Sequence, residues 1–155
     1  MQVRAAHQQR LVAICAIRGT QPGLRWSILN IQFSLITGSN ATSVTGSKLE
    51  GTGRPRVEPS FIVDLVDEMM RVPDGASIAP MLWLEKQLGR KAGSSTGTNV
   101  WSTLQVAKRM REAGRSGSIV TLQCDSGDHY LETCYHPDWV AEHIGDVGQW
   151  QSDMP

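Results

Sequence analysis

Two polar loops hold the side chains best suited to chemistry. In Gly93-Ser94-Ser95-Thr96-Gly97-Thr98-Asn99, small hydroxyl residues stand between glycines at the start of an expected helix. Free backbone N–H groups and side-chain donors at such a point can face an anion. The loop lacks the Gly-Lys-Ser/Thr ending of a nucleotide P-loop. Two readings stay open from the residues alone: an anion cradle, or an ordinary glycine-rich turn capped by threonine or asparagine. The second loop, Asp125 to Tyr130, follows an expected strand. Asp125 there supplies either a carboxylate to a cofactor or a turn, and a buried carboxylate needs a partner. His129, His136 and His143 recur every seven residues near Cys124 and Cys134. That arrangement matches no established zinc spacing, and Pro137 prevents one continuous helical face. The histidines read as unrelated surface or capping residues, and no metal is expected. Trp83, Trp101, Trp139 and Trp150 read as packing residues.

The elements that must position these loops follow a regular grammar after about residue 43. Gly51, Gly53, Pro55 and Pro59 form a loop, and Ser60 caps an expected helix to about Arg71, with Phe61, Leu65, Val66 and Met69 on one face. Pro73-Asp74 opens a second helix with Asp74 as cap and Ile78, Met81, Leu82, Leu84 and Leu88 as its apolar positions. Gly89 is placed to end it in a left-handed conformation, and Pro80 should kink it or mark a late start. A third helix is expected from about Val100 to Ala113. Ser118 to Cys124 then reads as a strand rich in β-branched residues. A helix–strand–loop order is an α/β pattern, in which ligands sit outside the carboxyl ends of strands. Residues 1 to 43 show no convincing period, because Gln, Arg and Ser interrupt each apolar cluster.

The chain has 155 residues, 40% apolar and 19% charged, and fifteen basic residues balance fifteen acidic ones. That size suits one domain or a piece of a larger one. With no net field to draw in a polyanion, neither a nucleic-acid partner nor a membrane surface is expected. No apolar run approaches the roughly 20 residues of a membrane span. The Leu11–Ile17 cluster only faintly resembles a signal peptide, since Arg18 closes it without a small-residue cleavage site. Three cysteines (Cys15, Cys124 and Cys134) without CxxC spacing read as free buried thiols of a reducing cytoplasm.

Three ordered motifs carry a resemblance. They are Leu49-Glu50-Gly51-Thr52-Gly53, the Gly93–Thr98 loop, and Val120-Thr121-Leu122-Gln123-Cys124-Asp125-Ser126-Gly127-Asp128-His129-Tyr130. In this order they resemble the cysteine synthases, fold-type II pyridoxal-phosphate enzymes related to cystathionine β-synthase. The stretch Gly53 to Phe61 resembles a bacterial branch of cysteine synthases and cysteine desulfhydrases. The likeness covers roughly residues 44 to 145, leaving 1–43 as an irregular segment and 146–155 as a tail. It implies an α/β chain, the incomplete C-terminal part of a three-layer αβα large domain.

The resemblance also implies roles. Ser95 stands where the family has the hydroxyl that hydrogen-bonds the pyridine nitrogen of pyridoxal 5'-phosphate, with Gly93 and Thr96 beside it on the cofactor. A neutral hydroxyl there keeps the ring nitrogen largely unprotonated, which suits elimination across the α and β carbons. Gly51 and Gly53 resemble the loop that closes over the substrate, although Thr52 replaces the family's usual isoleucine. Asp125 and Ser126 stand behind the pyridine ring and Tyr130 packs below it. The implied activity is β-elimination or β-replacement on O-acetylserine or cysteine, by a cytoplasmic homodimer acting on a small amino acid.

The family's Schiff-base lysine, its substrate-carboxylate loop and its glycine-rich phosphate loop have no counterpart in this chain. Lys48, Lys86, Lys91 and Lys108 match no such position, so no catalytic residue is assigned. With free codon choice, residues 1 to about 38 read two nucleotides later permit the family's phosphate loop and following helix. Trp26-Ser27 and Gln32-Phe33 restrict that reading most strongly. Two functions follow as expectations: a lyase or transferase of the family, or a non-enzymatic truncated product or interaction module. A half-domain whose sheet expects further strands would expose an unpaired edge. Resequencing the gene across the codons before Val44 is expected to reveal a frame disruption, and an uninterrupted frame would refute it.

Overall fold

The computed structural model describes residues 13–19, 24–29, 47–50, 68–70 and 72–155. Four strands form one sheet in the order β3-β2-β1-β4. They are β1 (Ala13–Gly19), β2 (Leu24–Leu29), β3 (Glu68–Met70) and β4 (Gly117–Thr121). β1 lies antiparallel to both neighbours, with Ala16 opposite Trp26 on one side and Val120 on the other. β2 and β3 are parallel, Ile28 facing Met69.

Two expectations change here. The segment 1–43, read as irregular, contains β1 and β2. Strand pairing is a long-range property, and the polar residues that interrupt the pattern hide it from a local reading. Within the helix expected from Ser60 to Arg71, Glu68–Met70 form strand β3, while residues 60–67 and 71 lie outside the described residues. A stretch as short as Glu-Met-Met fits either period, and pairing with β2 decides it.

Helix α1 (Asp74–Leu88) begins after Pro73 in extended backbone and ends at Gly89, whose φ of 65° is left-handed as its glycine allows. The Gly89 N–H closes the last turn on the Glu85 carbonyl at 2.9 Å. Asp74 is the first helical residue rather than the cap. Its carboxylate accepts the Lys48 backbone N–H at 2.7 Å, tying residues 47–50 to the helix start. The helix runs through Pro80, which is buried within it, instead of starting after it.

Helix α2 (Ser94–Glu112) starts six residues before the expected Val100. Its first turns are Ser, Thr and Gly, all poor helix formers. Packing against α1 overrides that preference. A side chain at Gly97 would fall on the Ser77 carbonyl oxygen, so the two backbones meet directly at this point. Beside it the Ser77 and Thr98 hydroxyls hydrogen-bond at 2.5 Å. The buried hydroxyls of Thr98 and Ser102 also donate back to carbonyls four residues earlier, Ser94 at 3.1 Å and Thr98 at 2.8 Å. The hydroxyls of Ser77, Thr98 and Ser102 are thereby satisfied without water, whereas the buried Ser94 hydroxyl has no protein partner.

Among the described residues three apolar clusters support the frame. Ile78 and Met81 of α1 pack with Leu49, Tyr130, Cys134 and Val140. Val106 and Met110 of α2 meet Ile119, which joins the helix to β4. Val72, Ala76 and Trp101 pack with Trp150 and Met154 near the end of the chain. Helices α3 (Pro137–His143) and α4 (Gly148–Gln151) carry Trp139 and Trp150 into this frame. Trp150 lies over Gly75, and Trp139 stacks on His143 with ring centroids 4.7 Å apart. Beyond Ile119 the strand is poorly covered: Val120 is 61% and Leu122 58% exposed.

Gly97→Ala is expected to cost about 1–3 kcal/mol, because the added methyl must push α1 and α2 apart. A urea midpoint measurement checks it, and an unchanged midpoint would show that the helices do not meet there.

Candidate functional site

The site is built where the N-terminus of α2 meets the chain leaving β4. After Thr121 the backbone has no further strand partner among the described residues, and α2 side chains take over. Thr96 Oγ1 accepts the Cys124 N–H at 3.0 Å, and Asn99 Nδ2 donates to the Leu122 carbonyl at 2.7 Å. The loops themselves then pair. Ala92 and Ser126 form an antiparallel bridge. The Gly93 N–H donates to the Asp125 carbonyl and the Gly127 N–H to the Lys91 carbonyl, each at 3.1 Å. Both glycines are required by close approach: a Cβ at Gly93 would collide with the Asp125 carboxylate, and one at Gly127 with Lys91. On the far side the Tyr135 hydroxyl accepts the Ala92 N–H at 3.0 Å and donates to its carbonyl at 2.9 Å.

Within this frame Asp125 is the hub. Its Oδ2 accepts the Tyr130 hydroxyl at 2.6 Å, and its Oδ1 accepts the Ser95 hydroxyl at 3.3 Å. Burial of Tyr130 and, after it, the hydrogen bond and charge of Asp125 push the tyrosine pKa up to about 12. The phenol is therefore a proton donor across the physiological range. Tyr135 shifts in the same direction, chiefly through burial.

The geometry decides between the two readings of the first loop. Gly93 to Asn99 is no free turn; it is the N-cap and opening turns of α2. The anion beside that N-terminus is the chain's own Asp125 carboxylate. A carboxylate near the positive end of a helix is favourable, and it disfavours a second anion at the same point.

Gly93, Ser95, Thr96 and Asp125 are thus brought together. Thr96 spends its hydroxyl on the Cys124 backbone, whereas Ser95 is half-buried on a longer bond. Ser126 is turned away from this group. Its hydroxyl donates to Asp128 Oδ2 at 2.6 Å and caps the 3-10 helix Gly127–Tyr130 by accepting the Asp128 N–H. Gly51 and Gly53 lie outside the described residues. Sequence reasoning missed Asn99 and Tyr135. The available signal was a lone amide and a second tyrosine flanking the two loops, which has meaning only once the loops are known to touch.

Next to the hub is an open polar cleft of about 610 Å³, lined by Glu85, Arg90, Lys91, Gln123, Cys124 and Asp125 among others. Arg90 donates to Gln123 Oε1 at 3.0 Å. Lys91 pairs with Glu85 and lies 5.0 Å from the Tyr135 ring centroid. Lys48, Lys86 and Lys108 are exposed. The histidines do not converge: His143 stacks on Trp139 and its Nδ1 meets the Trp139 carbonyl oxygen at 3.0 Å. Among the described residues no three His, Cys, Asp or Glu side chains converge on a metal position. For a pyridoxal-phosphate ring, the described residues offer the half-buried Ser95 hydroxyl, which donates to Asp125 Oδ1 at 3.3 Å. No described lysine hydrogen-bonds Ser95 or Asp125.

The arrangement defines a class: a mixed helix-and-strand unit whose polar groups gather where the chain leaving β4 meets the start of α2. No family model matches the chain. It is 52% identical over 97 residues to a protein named L-cysteine desulfhydrase Cds1 of Mycobacterium tuberculosis, covering 63% of this chain and 26% of that one. It is 30% identical over 113 residues to cysteine synthase 2 of Neurospora crassa, covering 72% of this chain and 23% of the relative. A third relative, N-(2-amino-2-carboxyethyl)-L-glutamate synthase of Ralstonia nicotianae, is 30% identical over 126 residues, covering 81% and 35%. These similarities place the chain in the pyridoxal-phosphate-dependent cysteine synthase family. It spans about a quarter to a third of the length of these relatives.

Tyr130 generates a pH prediction. Its folded pKa of about 12 lies above the ordinary tyrosine value of 10.0, so the unfolded chain loses the proton first. The stabilisation is complete below pH 10 and is expected to fade as pH rises from about 10 to 12. Urea midpoints at pH 9 and pH 11.5 check this, and Tyr130→Phe should flatten part of the fall.

Proposed function

We infer that residues 72–145 form the ring-nitrogen side of a pyridoxal-phosphate site in a cysteine synthase-like or cysteine desulfhydrase-like protein, within the C-terminal part of its large domain. The observation that carries this reading is the convergence of Ser95, Gly93 and Asp125 at the start of α2, in a chain 52% identical over 97 residues to a cysteine desulfhydrase. Bound cofactor would supply an electron sink for β-elimination or β-replacement on O-acetylserine or cysteine. The residues of this chain do the holding. Ser95 offers a neutral hydroxyl to the ring nitrogen, Gly93 gives the backbone room for Asp125, and Thr96 and Asn99 fix the strand end. The substrate is a small amino acid, and a cytoplasmic homodimer is the expected form of the longer protein. Among the described residues no helix is long and apolar enough to cross a membrane.

Cofactor attachment through a lysine is not a task we assign to this chain. Lys91 is committed to Glu85 and the other three of its four lysines point to solvent. A second reading, a non-enzymatic interaction module, is favoured by one observation, the exposed Val120 and Leu122 beside the β4 edge. Borohydride reduction of the purified chain with pyridoxal phosphate, followed by peptide mapping, is expected to label no single lysine stoichiometrically. Full labelling of one lysine would overturn the assignment and make the chain a complete cofactor carrier.

A further inference from the structure

We propose that Asp125 is the positioning residue for the Ser95 hydroxyl, and that Tyr130 is the fixed donor that holds Asp125 in place. The proposal deepens the cofactor reading, since it rests on Ser95 as the ring-nitrogen contact.

The geometry divides the carboxylate into two unequal halves. Oδ2 takes a short bond of 2.6 Å from Tyr130, which is itself buried in the cluster of Ile78, Met81 and Cys134. Oδ1 takes a longer bond of 3.3 Å from Ser95. The backbone of the same residue is anchored by the Gly93 N–H at 3.1 Å. Asp125 is thus held from the core on one oxygen and through its main chain, and the remaining oxygen faces the serine. A strong bond on one side fixes where the carboxylate stands. A weak bond on the other orients the serine hydroxyl without capturing it. A hydroxyl arranged this way can exchange its acceptor for a heteroaromatic nitrogen at small cost. Gly93 is the enabling residue, because any side chain there would take the space of the carboxylate.

The charged and titratable surroundings are few. Glu85, Arg90, Lys91, Asp128 and the Cys124 thiol, exposed where burial was expected, share the cleft with Asp125, and Cys134 and Ser94 lie near Tyr130. Arg90 and Lys91 are engaged with Gln123 and Glu85, so neither competes with Tyr130 for the carboxylate.

Both bonds can be read without cofactor. The chain has two tyrosines, so 13Cζ-tyrosine NMR, assigned with Tyr135→Phe, follows Tyr130 alone. In Asp125→Asn the Tyr130 pKa is expected to fall from about 12 towards its ordinary value without reaching it, leaving the part due to burial. The second bond is read in a Ser95→Cys background by the rate of iodoacetamide alkylation at position 95, quantified by peptide mapping. The adjacent carboxylate should suppress the thiolate, so adding Asp125→Asn is expected to raise the rate about threefold or more. Either readout unmoved by Asp125→Asn overturns the proposal. Should that variant unfold the region, seen as Tyr135 returning to its ordinary titration, Tyr130→Phe carries the test. Freed from its donor, Asp125 should release position 95 and the alkylation rate should rise; an unchanged rate overturns the proposal. Failure of the underlying cofactor reading shows up separately, as an unchanged affinity of Ser95→Ala for pyridoxal phosphate.

Discussion

The contact on which the rest of the site depends is the meeting of Gly93 with Asp125. It is a backbone hydrogen bond made possible by a missing side chain. Through it the start of α2 and the chain leaving β4 become one surface. The Ala92–Ser126 bridge, the Thr96–Cys124 bond and the Asn99–Leu122 bond all assume that closeness. None is strong alone, since a typical intramolecular hydrogen bond contributes only about 0.5–1.5 kcal/mol net. Together they hold the chain beyond Thr121, where β4 has no strand neighbour among the described residues.

The same economy of side chains shapes the helix pair. α1 and α2 touch through Gly97, Ser77, Thr98 and Ser102 rather than through an apolar ridge. Small residues let the backbones approach closely, and back-bonded hydroxyls remove the cost of burying polar atoms. The apolar contribution comes from the ends of the seam, Ile78 and Met81 on one side and Ala76 with Trp101 on the other. A rigid seam matters because Ser95 is one residue inside α2, and its position is inherited from that packing.

What was legible in the sequence follows from how local each signal is. The ends of α1 could be read directly, since Pro73 starts a helix and Gly89 stops one through backbone preference alone. The start of α2 could not. Its Ser-Ser-Thr-Gly-Thr run disfavours helix, and only the facing surface of α1 reverses that. β1 and β2 were hidden for a related reason, because their pairing, β1 with β4 and β2 with β3, involves distant segments rather than their own pattern. In the site, both loops were visible as polar, glycine-bearing segments after a strand or before a helix. That Asp125 reaches Ser95, while Ser126 turns back to cap its own 3-10 helix, depends on side-chain directions that spacing does not encode. The motif order carried the family, which the relatives support.

The carboxylate standing at the start of α2 gives the site a direction. A tethered anion is present at an effective concentration on the order of millimolar or above, so dissolved phosphate meets a place already filled. Under the cofactor reading proposed above, a ligand with an aromatic nitrogen at one end and a phosphate at the other would be sorted end from end. Its nitrogen would sit beside Ser95 and its phosphate would be turned outward by charge repulsion from Asp125.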